Sequence, residues 1–175
     1  MGIIKINDYF HLSEITLKDV NAFVEYLNDK EIYNNTLSIP YPYTNKDGEW
    51  FVNFVEERKK ENGKVVNWAI RNKDEKLIGV VGFHDGVKGH KAEIGYWLAN
   101  PYWSKGIMSE AVKKVCDISF NKFGLKRITA TIFEHNIGSE KVLEKCGFIL
   151  ECVCLKKYYK KDENIFNGKL YAKTI

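Results

Sequence analysis

One stretch of this chain has the residue types and the order to hold an anion. It runs from Ala92 to Ala111 and reads AEIGYWLANPYWSKGIMSEA. A strand-like run, Glu93 to Leu98, meets Pro101, and Ser104-Lys105-Gly106 then opens a helix. The first turn of a helix carries unpaired N–H donors and the positive end of the helix dipole. With a glycine at the turn, such an end suits a phosphate or pyrophosphate. Gly106 alone does not decide the matter, because a glycine before a helix also serves simply to make the turn. No G-x-G-x-x-G is present, and no Gly-Lys-Ser/Thr follows the glycine spacing of a phosphate-binding P-loop.

The elements that must position this stretch can be read from periodicity and breakers. Tyr9 to Ile15 reads as a strand. Thr16 with Asp19 three residues on approximates a capping box, and Leu17, Val20, Val24 and Leu27 follow on one helical face. Glu31 to Tyr43 reads as irregular and aromatic, broken by Pro40 and Pro42. Thr44 with Asp47 repeats the capping logic before a helix whose apolar stripe is Trp50, Phe51, Phe54 and Val55. Val65 to Arg71, Leu77 to Asp85 and Lys91 to Leu98 read as three strands. Their links, Asn72 to Lys76 and Gly86 to His90, are short enough to make them antiparallel neighbours. A helix from Ser104 to Phe123 follows, with Ala111, Val115, Ile118 and Phe120 inward, and then a strand from Arg127 to Phe133. Gly138 to Lys145 reads as a short helix stopped by Gly147. Ile149 to Tyr159 and Lys169 to Ile175 complete the sheet. A crossover helix requires its two flanking strands to be parallel. The fold class is therefore α/β, of the mixed α+β kind: a mostly antiparallel central sheet with one parallel pair and helices on both faces.

With 175 residues and no Gly/Ser-rich linker, the chain is expected to form a single domain over 1–175. A net charge of +4 suits an anionic ligand and falls far short of a dedicated nucleic-acid binder. The most basic run, LKKYYKK from Leu155 to Lys161, reads as an edge strand with lysines facing water rather than an RNA contact. Cys116, Cys146, Cys152 and Cys154 form no zinc-ribbon pattern and read as reduced, packed thiols, so no metal is expected. MGIIKINDYF lacks the apolar core of a signal peptide, Ile6 stands where a myristoylation pattern wants Ser or Thr, and no apolar run reaches membrane length. A cytoplasmic protein, monomer or homodimer, with no membrane partner is the expectation.

Four segments in this order resemble the GNAT-superfamily acyltransferases, in the branch that includes the RimJ/RimL-type ribosomal-protein N-terminal acetyltransferases. IPYPYTNKDGEWF (Ile39 to Phe51) is similar to that branch's early substrate-side segment, and NWAIRNKDEKLIGVVGF (Asn67 to Phe83) to its central hairpin. AEIGYWLANPYWSKGIMSEA is similar to the acetyl-CoA motif, and NIGSEKVLEKCGF (Asn136 to Phe148) to the second cofactor motif. The resemblance runs from Tyr9 to Ala172 and implies the GNAT-like fold, in which the parallel pair splays apart, with acetyl-CoA as acyl donor.

Carried onto this sequence, Trp103 to Met108 stand in the family's Q/R-x-x-G-x-G/A loop. Gly106 matches its central glycine, Trp103 and Met108 depart from the pattern, and Ser104 stands where the branch often has another glycine. The pyrophosphate would be held by backbone N–H groups of Ser104, Lys105, Gly106, Ile107, Met108 and Ser109, with Lys105 either adding charge or simply solvated. Tyr96, Trp97 and Leu98 match the strand end along which the pantetheine arm would pair, with an N–H near Leu98 polarising the thioester carbonyl. Core packing is the alternative for Tyr96 and Trp97, and alternation sends the two to opposite faces. Asn136 matches the asparagine that bonds the pantetheine and can equally be an N-cap. Ser139 matches the branch serine near the sulfur, a donor to the leaving thiolate. Many relatives place a tyrosine one turn later, where this chain has Leu143.

The resemblance implies direct attack by a neutral amine in a ternary complex. Glu93 is the first candidate for the base that takes the ammonium proton, with His84, Asp85 and Glu134 as alternatives. The acceptor is a protein N-terminus or a small molecule, with the aromatic segment Tyr33 to Phe51 bordering its site. The alternative is a CoA-binding regulatory or interaction domain without turnover, which needs the Gly106 turn and Asn136 but neither Glu93 nor Ser139. A basic RNA-binding module, third, predicts strongly salt-dependent RNA affinity.

Overall fold

A computed structural model describes residues 2–84 and 90–175. Its strands form one sheet in the order β1-β2-β3-β4-β5-β6-β8-β7. They are β1 (Ile4–Lys5), β2 (His11–Ser13), β3 (Asn67–Arg71), β4 (Leu77–Phe83), β5 (Lys91–Leu98), β6 (Arg127–Phe133), β7 (Ile149–Lys161) and β8 (Asn164–Thr174). Every neighbouring pair is antiparallel except β5 and β6, which are joined through helix α4 (Ile107–Phe123). That single parallel pair is the one the crossover demands.

Two helical layers follow from the alternation of side chains along the strands. α4 and α5 (Ile137–Lys145) cover one face, where Ile107, Ala111, Val112 and Val115 pack with Ile94, Leu98, Ile128 and Ala130. α1 (Val20–Leu27) and α3 (Asn45–Asn62) cover the other, where Phe23, Leu27, Val52 and Val55 pack with Ala69, Val80 and Trp97. The expected inward residues of α4, Ala111, Val115, Ile118 and Phe120, are all buried. Both capping residues act as read. Asp19 accepts from the Thr16 N–H at 2.8 Å, and Asp47 from the Thr44 N–H at 2.8 Å. The Asp19 carboxylate also receives the Arg71 guanidinium at 2.6 and 2.9 Å, tying β3 to the entry of α1.

Several expectations are corrected. Residues 30–35 are not irregular: Lys30–Asn35 forms a short helix, α2, capped by Asp29, whose Oδ1 accepts from the Glu31 N–H at 2.7 Å. Only Ile32 of that helix is buried, so there is no apolar period to read. Trp50 does not face the core. It is 65 % exposed, while Val55 is buried as read and Val52, outside the expected stripe, is buried with it. α4 begins at Ile107, since Ser104 to Gly106 form the turn before it. β7 and β8 form a longer hairpin than read, and β1 was not anticipated. The strand expected over Leu77 to Asp85 is described as far as Phe83, while Asp85 and most of the Gly86-to-His90 link lie outside the described residues.

The Leu155-to-Lys161 run lies on the outermost strand, with Lys156, Lys157 and Lys160 exposed and the register irregular. Bulges and lysines are how an edge avoids further pairing. Lys161 departs from that reading: it is 9 % exposed, and its ammonium donates to the carbonyls of Tyr33 and Thr36. All four cysteines are unbridged. Burial pushes the Cys116 thiol up to about 12, and the Cys146 thiol upward too. Among the described residues, no helix is long and apolar enough to cross a membrane.

Candidate active site

The parallel pairing of β5 and β6 is brief. It runs Lys91↔Arg127, Ala92↔Ile128, Glu93↔Thr129 and then stops. Beyond that point β5 stays with β4 up to Leu98, and β6 stays with β8 up to Phe133. The two strands therefore part, and a cleft opens between two unpaired edges. The phase of those edges is fixed by two bonds on the β4 side. His84 N–H donates to Glu93 O at 2.9 Å and Ala99 N–H to Ile78 O at 2.8 Å. In an antiparallel ladder the bonded residues alternate, so Gly95 and Trp97 also turn their backbone groups to β4, while those of Tyr96 and Leu98 face the cleft. The Trp103 indole N–H donates to Leu98 O at 2.6 Å. Trp103 thus caps the carbonyl at the strand end, which leaves the Leu98 N–H as the donor there.

At the end of β5 a 3-10 turn, Asn100–Tyr102, leads to the loop. Gly106 has φ +78° and Ser104 has φ +59°. Ser104 thus adopts the left-handed conformation that a glycine would supply, and the turn keeps its shape without one. The first α4 bond runs from Glu110 N–H to Gly106 O at 3.1 Å, so the N–H groups of Ile107, Met108 and Ser109 lie outside the helical ladder. The Ile107 and Met108 side chains are buried, which leaves their backbone as the part that faces the turn. Lys105 reaches back, donating to Pro101 O at 2.8 Å with its ammonium over the Tyr102 ring.

Asn136 caps α5: its Oδ1 accepts from the Ser139 N–H at 3.0 Å, and its Nδ2 donates to Asn35 O at 3.2 Å. Ser139 is 9 % exposed, and its Oγ lies 2.7 Å from the Tyr96 hydroxyl. Burial is the main cause that holds the Tyr96 pKa above the ordinary phenol value. Tyr96, Asn136 and Ser139 are thus brought together across the cleft, on the α4/α5 side. Trp97 is not among them. It packs against Phe23 on the opposite face, ring centroids 6.0 Å apart.

Glu93 lies at the fork itself, the last residue of β5 paired with β6, partly exposed. Its charge reaches Tyr159, whose pKa is raised first by burial and then by Glu93, against a hydrogen bond with Thr131. Tyr159 was not read from the sequence as part of any site. Its approach depends on Gly168 across the hairpin, where a Cβ would come within 3.0 Å of the ring, and nothing local in the sequence announces that contact. Of the alternatives to Glu93, His84 is exposed with its ring against Gly95, and Glu134 accepts from Asn167 Nδ2 at 2.9 Å. The aromatic segment meets this side through α2. Lys161 and His135 bond the α2 carbonyls, and Tyr33 bonds Asp162 and packs against Tyr41. Among the described residues no group of His, Cys, Asp or Glu is arranged to hold a metal ion.

Comparison with known proteins gives a consistent set of likenesses. The family model described as acetyltransferase (GNAT) domain matches residues 10–149. The chain is 37 % identical over 109 residues to the uncharacterized N-acetyltransferase YoaA of Bacillus subtilis, a match covering 61 % of each chain. It is 34 % identical over 104 residues to the ribosomal-protein-serine acetyltransferase of Escherichia coli, covering 59 % of this chain and 58 % of that one. These two matches therefore span about three-fifths of each relative's length. Among solved structures, the microcin C7 self-immunity acetyltransferase MccE, in complex with acetyl-CoA and AMP, superposes with a TM-score of 0.86 at 25 % identity, over 98 % of this chain and 96 % of that one.

Proposed function

This chain belongs to the GNAT acetyltransferase family, on its RimJ/RimL-like branch, and from that premise we propose that residues 1–175 form one domain that transfers an acetyl group from acetyl-CoA to a primary amine. The observation that carries the proposal is the fork at Glu93↔Thr129 with a positive-φ turn at the far end of the same strand. The backbone there suits the donor. The N–H groups of Ile107, Met108 and Ser109 suit a pyrophosphate, and the open edge at Tyr96 and Leu98 suits an extended amide-bearing arm. Acetyl-CoA supplies an activated acyl group and a thiol leaving group.

The chain's own residues then do three things. The loop from Trp103 to Ser109 anchors the donor, with Trp103 acting through the Leu98 carbonyl and Lys105 from behind the turn. Leu98 N–H lies where the fold would present a hydrogen bond to a carbonyl oxygen as it gains charge, and Asn136 holds the first turn of α5 against the cleft. Glu93, at the fork and partly exposed, takes the proton the amine sheds, directly or through a water. Ser139 donates to the departing sulfur. The acceptor is a protein N-terminus, as the name of the ribosomal-protein-serine relative suggests, or a small molecule. It enters on the side of Tyr33, Tyr159 and Glu93, in a cytoplasmic protein that works as a monomer or homodimer.

Two substitutions test the roles. Ser139→Ala is expected to lower kcat by about a hundredfold to a thousandfold with acetyl-CoA binding retained, the range for loss of one acid–base or donor group. A wild-type kcat would remove Ser139 from the reaction. Glu93→Gln is expected to lower kcat/KM for the amine by about a hundredfold. A wild-type kcat/KM would pass the role of base to another group.

A further inference from the structure

The cleft has two walls, β5 and α5, and one hydroxyl pair joins them. Tyr96 reaches from β5 to Ser139 in the first turn of α5, its OH 2.7 Å from Ser139 Oγ and 3.4 Å from Ser139 O. One helical turn on, Leu143 is fully buried in the core and carries no polar group. On the described face of α5, Tyr96 is thus the phenol that meets Ser139, and it arrives from a strand instead of from the helix.

We propose that Tyr96 is a positioning residue for the leaving sulfur: its hydroxyl donates to Ser139 Oγ and so turns the serine's own proton toward the thiolate. The inference rests on the acetyltransferase reading and adds to it the residue that makes Ser139 a donor. A serine in the first turn of a helix has one proton and several acceptors, including nearby backbone carbonyls. An N–H bond from Ser139 to Asn136 fixes the backbone but leaves the hydroxyl free to rotate. A phenol that donates across this 2.7 Å contact removes that freedom by occupying a lone pair of Oγ. Burial holds Tyr96 in its protonated form, so its hydroxyl has a proton to give.

Neither residue gives up a proton. The bond from nitrogen to the acyl carbon forms, the carbon–sulfur bond breaks and its electron pair goes to sulfur. The proton shed by nitrogen finally neutralises the thiolate by way of the base and solvent. The Tyr96–Ser139 pair stabilises the charge in between.

The thiol of bound CoA reads this directly and needs no amine. Its ionisation, followed by ultraviolet absorbance, is expected to occur at a pH about one unit lower on the wild-type protein than in free CoA. In Tyr96→Phe, which keeps the ring, it returns most of the way to the free value, as it does in Ser139→Ala. The double variant shows no further shift, because the two groups act as one. With a working acceptor, Tyr96→Phe lowers kcat about tenfold, with KM for acetyl-CoA unchanged, and costs nothing more in the Ser139→Ala background. A Tyr96→Phe titration identical to wild type, or a double variant that adds the two shifts, overturns the proposal. Shifts as expected with no turnover on any amine would keep the pair and sink the transferase reading. Failure of the wild type to bind CoA would sink both.

Discussion

Gly106→Asp is expected to remove acetyl-CoA binding while leaving the protein folded. A Cβ built at Gly106 meets nothing within 4 Å, so the substitution creates no clash. The backbone sits at φ +78°, a region that costs an L-residue about 1 kcal/mol and that Asp tolerates better than most. Gly106 is also the N-cap of α4, where an aspartate is among the favoured residues. Its carboxylate would accept from the N–H groups at the start of α4, the same donors a pyrophosphate needs, and would repel the phosphates besides. Calorimetry should therefore show Kd for acetyl-CoA raised at least about a hundredfold, close to 3 kcal/mol, with the melting temperature lowered by only a few degrees. Unchanged affinity would mean that the turn does not hold the donor.

The second large effect falls on stability. Arg71 and Asp19 form a bidentate pair with side chains only 11 % and 5 % exposed. Arg71 also donates to Ser13 Oγ at 2.6 Å and to the carbonyls of Glu14 and Glu75, so one guanidinium gathers β2, β3 and the entry of α1. Arg71→Leu leaves Asp19 charged and buried with only the Thr16 contact. Removing one partner of such a pair costs about 3–5 kcal/mol, a large part of a typical domain's stability. Urea unfolding should show the midpoint falling accordingly, and the double variant Arg71→Leu with Asp19→Leu should recover much of the loss, since the lone charge is then gone. A loss below about 1 kcal/mol would show that water reaches the pair and screens it.

What could be read from the sequence was local chemistry with long periodicity. Lys91 to Leu98 and Arg127 to Phe133 were bounded correctly, because alternation over seven or eight residues ends at clear breakers. Thr16 announced the 3-10 turn that leads into α1, and Thr44 the helix α3 that it caps. The order of strands and one crossover helix led to the parallel pair, and resemblance led to its opening. What escaped was set by contacts between distant residues. α2 buries a single apolar side chain, and its carbonyls are held by Lys161, His135 and Asn136, all more than ninety residues later in the chain. Trp50 satisfied the helical stripe of α3 but points away from it, since the core-facing side of that helix is built from smaller residues such as Val52 and Val55. The partnership of Tyr96 with Ser139 and the packing of Tyr159 against Phe133 likewise join elements whose adjacency no local pattern encodes.

The central claim is that the fork between β5 and β6 carries acetyl transfer to an amine and not mere CoA binding. The most direct measurement is release of free CoA from acetyl-CoA across a panel of N-terminal peptides, polyamines, amino sugars and amino acids, with the acetylated product identified by mass. The account predicts amine-dependent release with at least one class, matched one for one by product, and lost in Gly106→Asp. Tight acetyl-CoA binding with no amine raising release above the background hydrolysis would contradict it and would leave a CoA-binding domain without turnover.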